Sequence, residues 1–375
     1  MVISRQVNVF TIVSDFNINV RCSGQQANAQ IRITGDREMG DREMTEKYLT
    51  AGHLLELSGY YWKTCTLHAG VKLEIFTVLG DEQINAETVA DRLGAEKDAV
   101  ERLLNALTAL ELVKKDAGYF ENTQTSKKYL IPDAPDYIGW MIKHHHHLIP
   151  SWSQLDQAVI SGRPIRDSAA KSTEEWRTAF LKGMHTNARL QAPAVAADVK
   201  LTGKTFLLDL GGGPATYAIH FCRENSELNA VVYDLPYSRP IAEENIKRAG
   251  LTERIGFQGG DYHKDPIDGV FDVVWLSHIL HAEGPEDCRK ILAKAASAVK
   301  PGGMILVHDF ILNDQMDGPL FPALFSLNML VGTPSGRAYA QSELREMLSS
   351  AGARDISRLH FRGPTDSAIM MGILD

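Results

Sequence analysis

Two histidines three residues apart, His278 and His281, follow an apolar run that ends at Leu276. An imidazole with an ordinary pKa near 6.5 can accept a proton at neutral pH, so a histidine beside a ligand is a candidate base. Earlier, Phe206 to Leu210 leads through Asp209 into Gly211-Gly-Gly213, where the missing side chains let a ligand lie against backbone. Asp234 stands 21 residues beyond Gly213, at a distance from which a carboxylate can accept two hydrogen bonds from ribose hydroxyls. Asp261 with Tyr262, and Ser277 before the histidines, follow two further apolar runs. A last polar group is the run His144 to His147. Consecutive helical residues point about 100° apart, so four neighbours do not converge on one ion, and no metal site is expected there.

These residues meet only if the elements between them form one sheet. From Gly203 onward, short apolar strands expected at 206–210, 230–233, 255–258, 270–276 and 304–310 alternate with helices at 215–224, 239–248, 286–298 and 342–351. A closing pair of strands is expected at 355–361 and 368–374. Such alternation is that of an α/β, doubly wound Rossmann-like domain, whose ligands bind at the carboxyl ends of the strands. Asp209, Gly211, Gly213, Asp234, Leu235, Asp261, Tyr262 and Ser277 all fall on that edge. A dinucleotide would place a third glycine at position 216, which is Thr216, and no basic cluster awaits a pyrophosphate. The ligand is therefore expected to lack phosphate.

Residues 45–135 read as a mainly helical domain. Short helices from Asn85 to Gly94 and Asp98 to Leu110, then two strands around Gly118, have the order of a winged helix. Its second helix carries Lys97, Arg102 and Asn105 against Glu96, Asp98, Glu101 and Glu111, a poor surface for phosphates, so a protein–protein module is expected in place of DNA recognition. Residues 136–200 read as helical connectors at 137–148, 151–160 and 172–195 that reach the substrate pocket. Residues 1–44 end in a tandem duplication, Gly35 to Met39 and Gly40 to Met44, and read as a flexible extension or as a start assigned too early.

The 375 residues carry a net charge of −8, which excludes broad nucleic-acid or anionic-membrane binding. Cys22, Cys65, Cys222 and Cys288 form no paired CxxC spacing, and no apolar run approaches the 18 or so residues of a membrane span. A cytoplasmic protein with reduced thiols is expected.

Several motifs together carry a resemblance. The glycine strand, Asp234-Leu-Pro, Gly260-Asp-Tyr-His263, the segment Phe271 to Cys288 and Lys300-Pro-Gly-Gly303 resemble class I S-adenosylmethionine-dependent methyltransferases, more narrowly the small-molecule O-methyltransferases of the plant caffeate and animal acetylserotonin type. The resemblance covers about residues 45 to 375. It implies S-adenosyl-L-methionine as cofactor, S-adenosyl-L-homocysteine as product, and a homodimer built through a winged-helix-like dimerisation domain. Gly211 and Gly213 would flank the methionine part, Asp234 the ribose, and Asp261 with Tyr262 the adenine. His281, seven residues before Cys288, matches the family's catalytic base, and Asp309 the first of two acidic residues that hold it. His278 is the competing base. Trp140, Met141, His144, His278, Phe325, Asn328 and Met329 would line the pocket of a hydroxylated aromatic or polycyclic substrate. Three positions depart from the family pattern: Ala282, Ala338 where the second acid would stand, and Asp309, shorter than the usual Glu. They leave C- or N-methylation, or a relative that does not transfer the methyl, as alternatives. A ligand-sensing transcription regulator is a third.

Overall fold

The computed structural model describes residues 49–132, 134–166 and 173–375. The expected extension 1–44 and the expected helix start at 172 lie outside them. The chain divides into two units, residues 1–54 and 55–375, and the described part of the first is residues 49–54, where α1 (Ala51–Gly59) begins.

The second unit opens with α2 (Tyr61–Lys72), α3 (Ile75–Leu79), β1 (Ile84–Asn85), α4 (Ala86–Leu93), α5 (Lys97–Ala109), β2 (Val113–Asp116), β3 (Tyr119–Asn122) and α6 (Gln124–Tyr129). Local chemistry sets these boundaries. The Asn85 side chain accepts from Thr88 N at 2.9 Å to start α4, and Gly94, at φ +63°, stops it. The Glu96 carboxylate accepts from Asp98 N and Ala99 N to start α5. Val100, Leu104 and Leu107 form its buried stripe and pack in one cluster with Ile75, Phe76 and Val89. β2 and β3 pair antiparallel as the expected wing, and β1, too short to leave a periodic signal, adds a third strand to it.

Next come α7 (Gly139–Trp152), α8 (Leu155–Ser161) and α9 (Glu174–Asp198). α7 crosses α9 at Gly183, where an added Cβ would stand 3.4 Å from the Trp140 carbonyl oxygen.

The sheet domain runs β4 (Phe206–Leu210), α10 (Thr216–Glu224), β5 (Asn229–Asp234), α11 (Arg239–Arg248), β6 (Ile255–Gly259), β7 (Phe271–Ser277), α12 (Pro285–Ser297), β8 (Val299–Leu312), α13 (Leu320–Gly332), β9 (Tyr339–Ala340), α14 (Gln341–Ser350), β10 (Ala353–Arg358) and β11 (Ser367–Leu374). Its strand order is β10-β11-β8-β7-β4-β5-β6, with β9 beside the end of β8. β4 to β8 are parallel, whereas β11 runs antiparallel between β8 and β10. Apolar side chains fill both faces of the sheet, as its near-continuous hydrophobic strands require. Lys300 to Gly303, which reads as a turn, lies instead inside β8. There the pairing register shifts opposite Phe271 to Val273, and a Cβ on Gly303 would stand 2.4 Å from Val299 Cγ1. No helix among the described residues is long and apolar enough to cross a membrane.

Candidate active site

The strand-to-helix turn after β4 is built on two glycines in the left-handed region, Gly211 at φ +69° and Gly213 at φ +47°. A Cβ on Gly211 would stand 1.8 Å from Ile279 Cδ1 after β7, so any other residue there must displace the Ile279 side chain besides adopting a left-handed backbone. Asp209, fully buried, accepts from Ala218 N at 3.2 Å through Oδ2, while Oδ1 has no hydrogen-bond partner among the described residues. Burial pushes its pKa up to about 7. At the end of β5, Asp234 accepts from Gly213 N at 2.7 Å through Oδ2 and from Leu235 N and Ser238 Oγ, at 2.6 and 2.9 Å, through Oδ1. Burial raises this carboxyl above its ordinary value as well. Asp209, Gly211, Gly213, Asp234 and Leu235 thus meet as the sequence predicts.

One face of α9 lies over this turn. Leu181 stands 3.6 Å from where a Cβ of Gly213 would be, and His185 Nδ1 lies 2.8 Å from Thr216 Oγ1. The Arg177 guanidinium stands 5.4 Å from the Tyr237 ring centre. Burial lowers the His185 pKa to about 4, so the ring is neutral. Sequence reasoning misses His185. The signal available to it is the spacing of 177, 181 and 185, which puts all three on one helix face.

Asp261 and Tyr262 follow β6, but their side chains are engaged by close neighbours. The Asp261 carboxylate accepts from His263 N at 2.9 Å and Lys264 Nζ at 2.8 Å. Tyr262 donates its hydroxyl to Glu283 at 2.9 Å, which ties the β6 loop to the segment after β7. Ser277 Oγ lies 3.0 Å from His308 Nδ1, and His308 Nε2 lies 3.0 Å from Ser367 Oγ. His308 is fully buried, and burial holds it neutral.

His281 sits in a single turn of 3-10 helix, Leu280–Ala282, and its Nδ1 lies 2.7 Å from Asp309 Oδ1 on β8. The same carboxylate accepts from His281 N at 3.2 Å and Phe310 N at 2.8 Å. Burial works against its charge, but the His281 and His278 rings outweigh burial and hold its pKa well below the usual carboxylate range. An ionised carboxylate only accepts, so Nδ1 carries a proton, and in the neutral form of the ring Nε2 is left with the lone pair. Phe325 meets the His281 ring edge-on at 4.7 Å between centres, and Phe310 packs on Phe325 at 4.4 Å. His278, held at φ +57°, packs on Phe310 at 4.5 Å; its Nδ1 is 3.6 Å from Asp309 Oδ1, and neither of its ring nitrogens makes a hydrogen bond among the described residues. His278, His281 and Asp309 offer ligand atoms within 4.8 Å of one another, a spread that a cation could bridge. The 2.7 Å contact, however, is shorter than the roughly 3.3 Å that separates two ligands bound at about 2.0 Å in tetrahedral geometry. It has the length of a charge-assisted hydrogen bond.

The expected pocket residues divide. Phe325 touches His281, Asn328 stands one helical turn beyond it, and Met329 is buried beside Asn328. His144 packs against Phe180 of α9 at 5.3 Å. Trp140 and Met141 lie instead at the crossing with α9, where Lys182 stands 4.6 Å over the Trp140 ring. The histidine run splits as helical geometry requires: His144 faces α9, while His146 reaches Lys72 of α2 at 2.8 Å.

Residues 155–354 match the model of an O-methyltransferase domain, and residues 55–132 that of an O-methyltransferase dimerisation domain. This chain belongs to the O-methyltransferase family. A 3-hydroxy-5-methyl-1-naphthoate 3-O-methyltransferase of Streptomyces sahachiroi is 35% identical over 326 residues, covering 85% of this chain and 94% of that protein. The N,N-dimethyltransferase OxyT of Streptomyces rimosus is 28% identical over 317 residues, covering 81% and 91%. The solved structure of an O-methyltransferase family protein from Burkholderia thailandensis superposes with a TM-score of 0.79 at 26% identity, covering 88% of this chain and 99% of that one.

This methyltransferase is an S-adenosylmethionine-dependent enzyme that yields S-adenosylhomocysteine. The turn fits such a cofactor on its own chemistry. A cradle without Cβ atoms admits backbone contact, the unpartnered Asp209 Oδ1 can take a hydrogen bond from an ammonium, and Asp234 can accept from ribose hydroxyls.

Proposed function

We propose that this enzyme transfers the methyl group of S-adenosylmethionine to a hydroxyl of a small aromatic or polycyclic molecule, with His281 as general base. The observation that carries this is the 2.7 Å contact between His281 Nδ1 and a buried, ionised Asp309. Bound S-adenosylmethionine supplies an electrophilic methyl on a sulfonium. The hydroxyl proton passes to His281 Nε2, and Asp309 stabilises the resulting imidazolium through Nδ1–H, the division of labour of a catalytic triad. Asp309 therefore serves in place of a longer acid, and Ala338, fully buried, adds no second one. Phe310, Phe321 and Phe325 form an apolar wall beside the base, which suits a flat aromatic acceptor. The naphthoate methyltransferase among the relatives supports the same class.

The test is turnover: full-length protein, S-adenosylmethionine and a panel of hydroxynaphthalenes and hydroxyquinones, with product mass and S-adenosylhomocysteine measured together. A methyl ether product, with a large loss of rate in H281A, is expected. An N-methyl product whose rate H281A leaves unaltered would establish the second reading, which the OxyT relative motivates. A neutral amine needs no base before it attacks.

We also propose a homodimer through the N-terminal domain. Leu55, Leu57, Tyr61 and Trp62 are exposed at 59–74% on α1 and α2, an apolar surface that a monomer would leave in water. DNA recognition has less support: Lys97 pairs with Glu87 at 3.4 Å, Arg102 with Asp98 at 2.5 Å and Lys115 with Glu101 at 3.6 Å, which neutralises the cations a phosphate would need.

A further inference from the structure

After α8 the chain turns back on α13, with Ile165 N and Arg166 N donating to the Val331 carbonyl at 3.0 and 3.2 Å. The turn lays the Arg166 guanidinium against α13. Nη1 donates to Ser151 Oγ at 2.9 Å and Nη2 to Asn328 Oδ1 at 3.3 Å. Both acceptors are more than nine-tenths buried. The guanidinium packs on Gly332, where a Cβ would stand 2.3 Å from Nη2. Both partners are neutral, and among the described residues no carboxylate forms an ion pair with this cation. Burial lowers its pKa from the ordinary value.

A half-buried guanidinium with only neutral partners among the described residues lacks, within them, the charge that would offset its desolvation. Described residues use two of its five N–H groups, which leaves three for a ligand. A second group lies near it: His144 Nδ1 is buried without a hydrogen-bond partner among the described residues, on a ring whose pKa burial, with Arg166 among the contributing charges, lowers to about 3. The wall leads back to the base. Asn328, which Arg166 touches, stands one helical turn, about 5 Å along α13, from Phe325, whose ring meets His281.

We infer that Arg166 binds a carboxylate of the methyl acceptor, so that the substrates are hydroxylated aromatic acids. Carboxylate geometry matches the free edge of a guanidinium, and the apolar wall accommodates the ring between the two polar ends. The inference rests on the proposed methyl transfer for the identity of the ligand as acceptor, but the anion site itself is testable by binding alone.

The experiment uses full-length protein saturated with S-adenosylhomocysteine and calorimetry with 6-hydroxy-2-naphthoate, whose two polar groups stand at opposite ends of the ring system, and with 2-naphthol, which lacks the carboxylate. The acid is expected to bind about 10- to 100-fold tighter, the range of a charge-assisted pair. R166M should remove that preference without changing 2-naphthol affinity, and R166K should retain part of it. Equal binding of the two ligands by the wild-type protein, absence of acid binding, or an undiminished preference in folded R166M overturns the inference. The wild-type comparison needs no variant to fold. Acid binding that depends on Arg166 without any methylated product keeps the anion site and removes the proposed reaction. Methylation of 2-naphthol with no preference for the acid does the reverse.

Discussion

Asp309→Asn is the substitution whose consequence follows most directly from the geometry. The carboxylate takes three hydrogen bonds: Oδ1 from His281 Nδ1 and Phe310 N, Oδ2 from His281 N. An amide replaces one acceptor by a donor. With its nitrogen at the Oδ1 position, Asn would face two N–H groups and force the imidazole into the opposite tautomer, so that Nε2 carries the proton and cannot act as base. With its nitrogen at the Oδ2 position, it keeps the tautomer, loses the bond from His281 N and offers no negative charge to the imidazolium. Either arrangement removes most of what a positioned base contributes, roughly 10²–10⁴ in rate. At about 1.4 kcal/mol per decade, that is about 3–5.5 kcal/mol of transition-state stabilisation. We therefore expect kcat at pH 7 to fall by about 10² or more, with S-adenosylhomocysteine affinity unchanged because Asp309 lies outside the glycine turn. The deficit should shrink as pH rises toward the acceptor's own ionisation, about 10 for a simple phenol, where no base is needed. Initial rates from pH 6 to 10, with product quantified by mass spectrometry, measure both effects. A kcat within about threefold of wild type at pH 7, or a deficit independent of pH, refutes the assignment of this pair as base and orienting carboxylate.

Gly211→Ala should lower S-adenosylhomocysteine affinity by at least about 10-fold in calorimetry, since a left-handed alanine costs roughly 1–2 kcal/mol and its methyl displaces Ile279. Asp209→Asn should flatten the pH dependence of stability. The native carboxyl is raised to about 7 while the unfolded chain ionises near 3.9, so native stability falls as pH rises between these values, by ~4 kcal/mol at most, and the amide removes that fall. Thermal unfolding of the cofactor-free protein between pH 5 and 8 checks it, and the same variant should bind cofactor more weakly. Leu55→Asp with Trp62→Asp should convert the proposed dimer to monomer in sedimentation velocity, because each buried side chain of this size contributes about 2–3 kcal/mol; a dimer-sized sedimentation coefficient in the variant would move the interface elsewhere.

The sheet and its glycine turn were legible because their signals are local. An apolar run of five residues, a turn that only glycine can make and an amphipathic helix are each written within about a dozen positions, and β4, β5, β6 and β7 begin and end within a residue of expectation. The strands at the far edge were legible as strands, but their directions depend on pairings between β8, β10 and β11 that no local pattern states. The Lys300 to Gly303 segment illustrates the limit from the other side. Proline and glycines spell a turn, yet the pairing of β8 with β7 absorbs them as an irregularity. His185, His308 and Arg166 escaped for one reason. Each matters through a partner far along the chain, Thr216, Ser367 and Asn328 respectively, and nothing in its own neighbourhood distinguishes it from an ordinary helix or strand residue.

The base and its carboxylate show why such pairings decide function. His281 and Asp309 are 28 residues apart, and neither holds the other by local structure. What brings them together is the register of two parallel strands, Leu276 against Val307 and Ser277 against His308, which ends β7 opposite the residue before Asp309. Side chains on a strand alternate between faces, so in that register His308 enters the packed interior beside Trp275 while Asp309 turns to the side where His281 waits. A slip of one residue would bury the carboxylate against Trp275 and present His308 to the imidazole. The apolar contacts of Trp275, Leu276, Leu306 and Val307, all at most 1% exposed, penalise that slip. The hydrophobic core thus selects not only the fold but which residue faces His281, and substitutions in that core should be judged by the position of Asp309 as well as by stability.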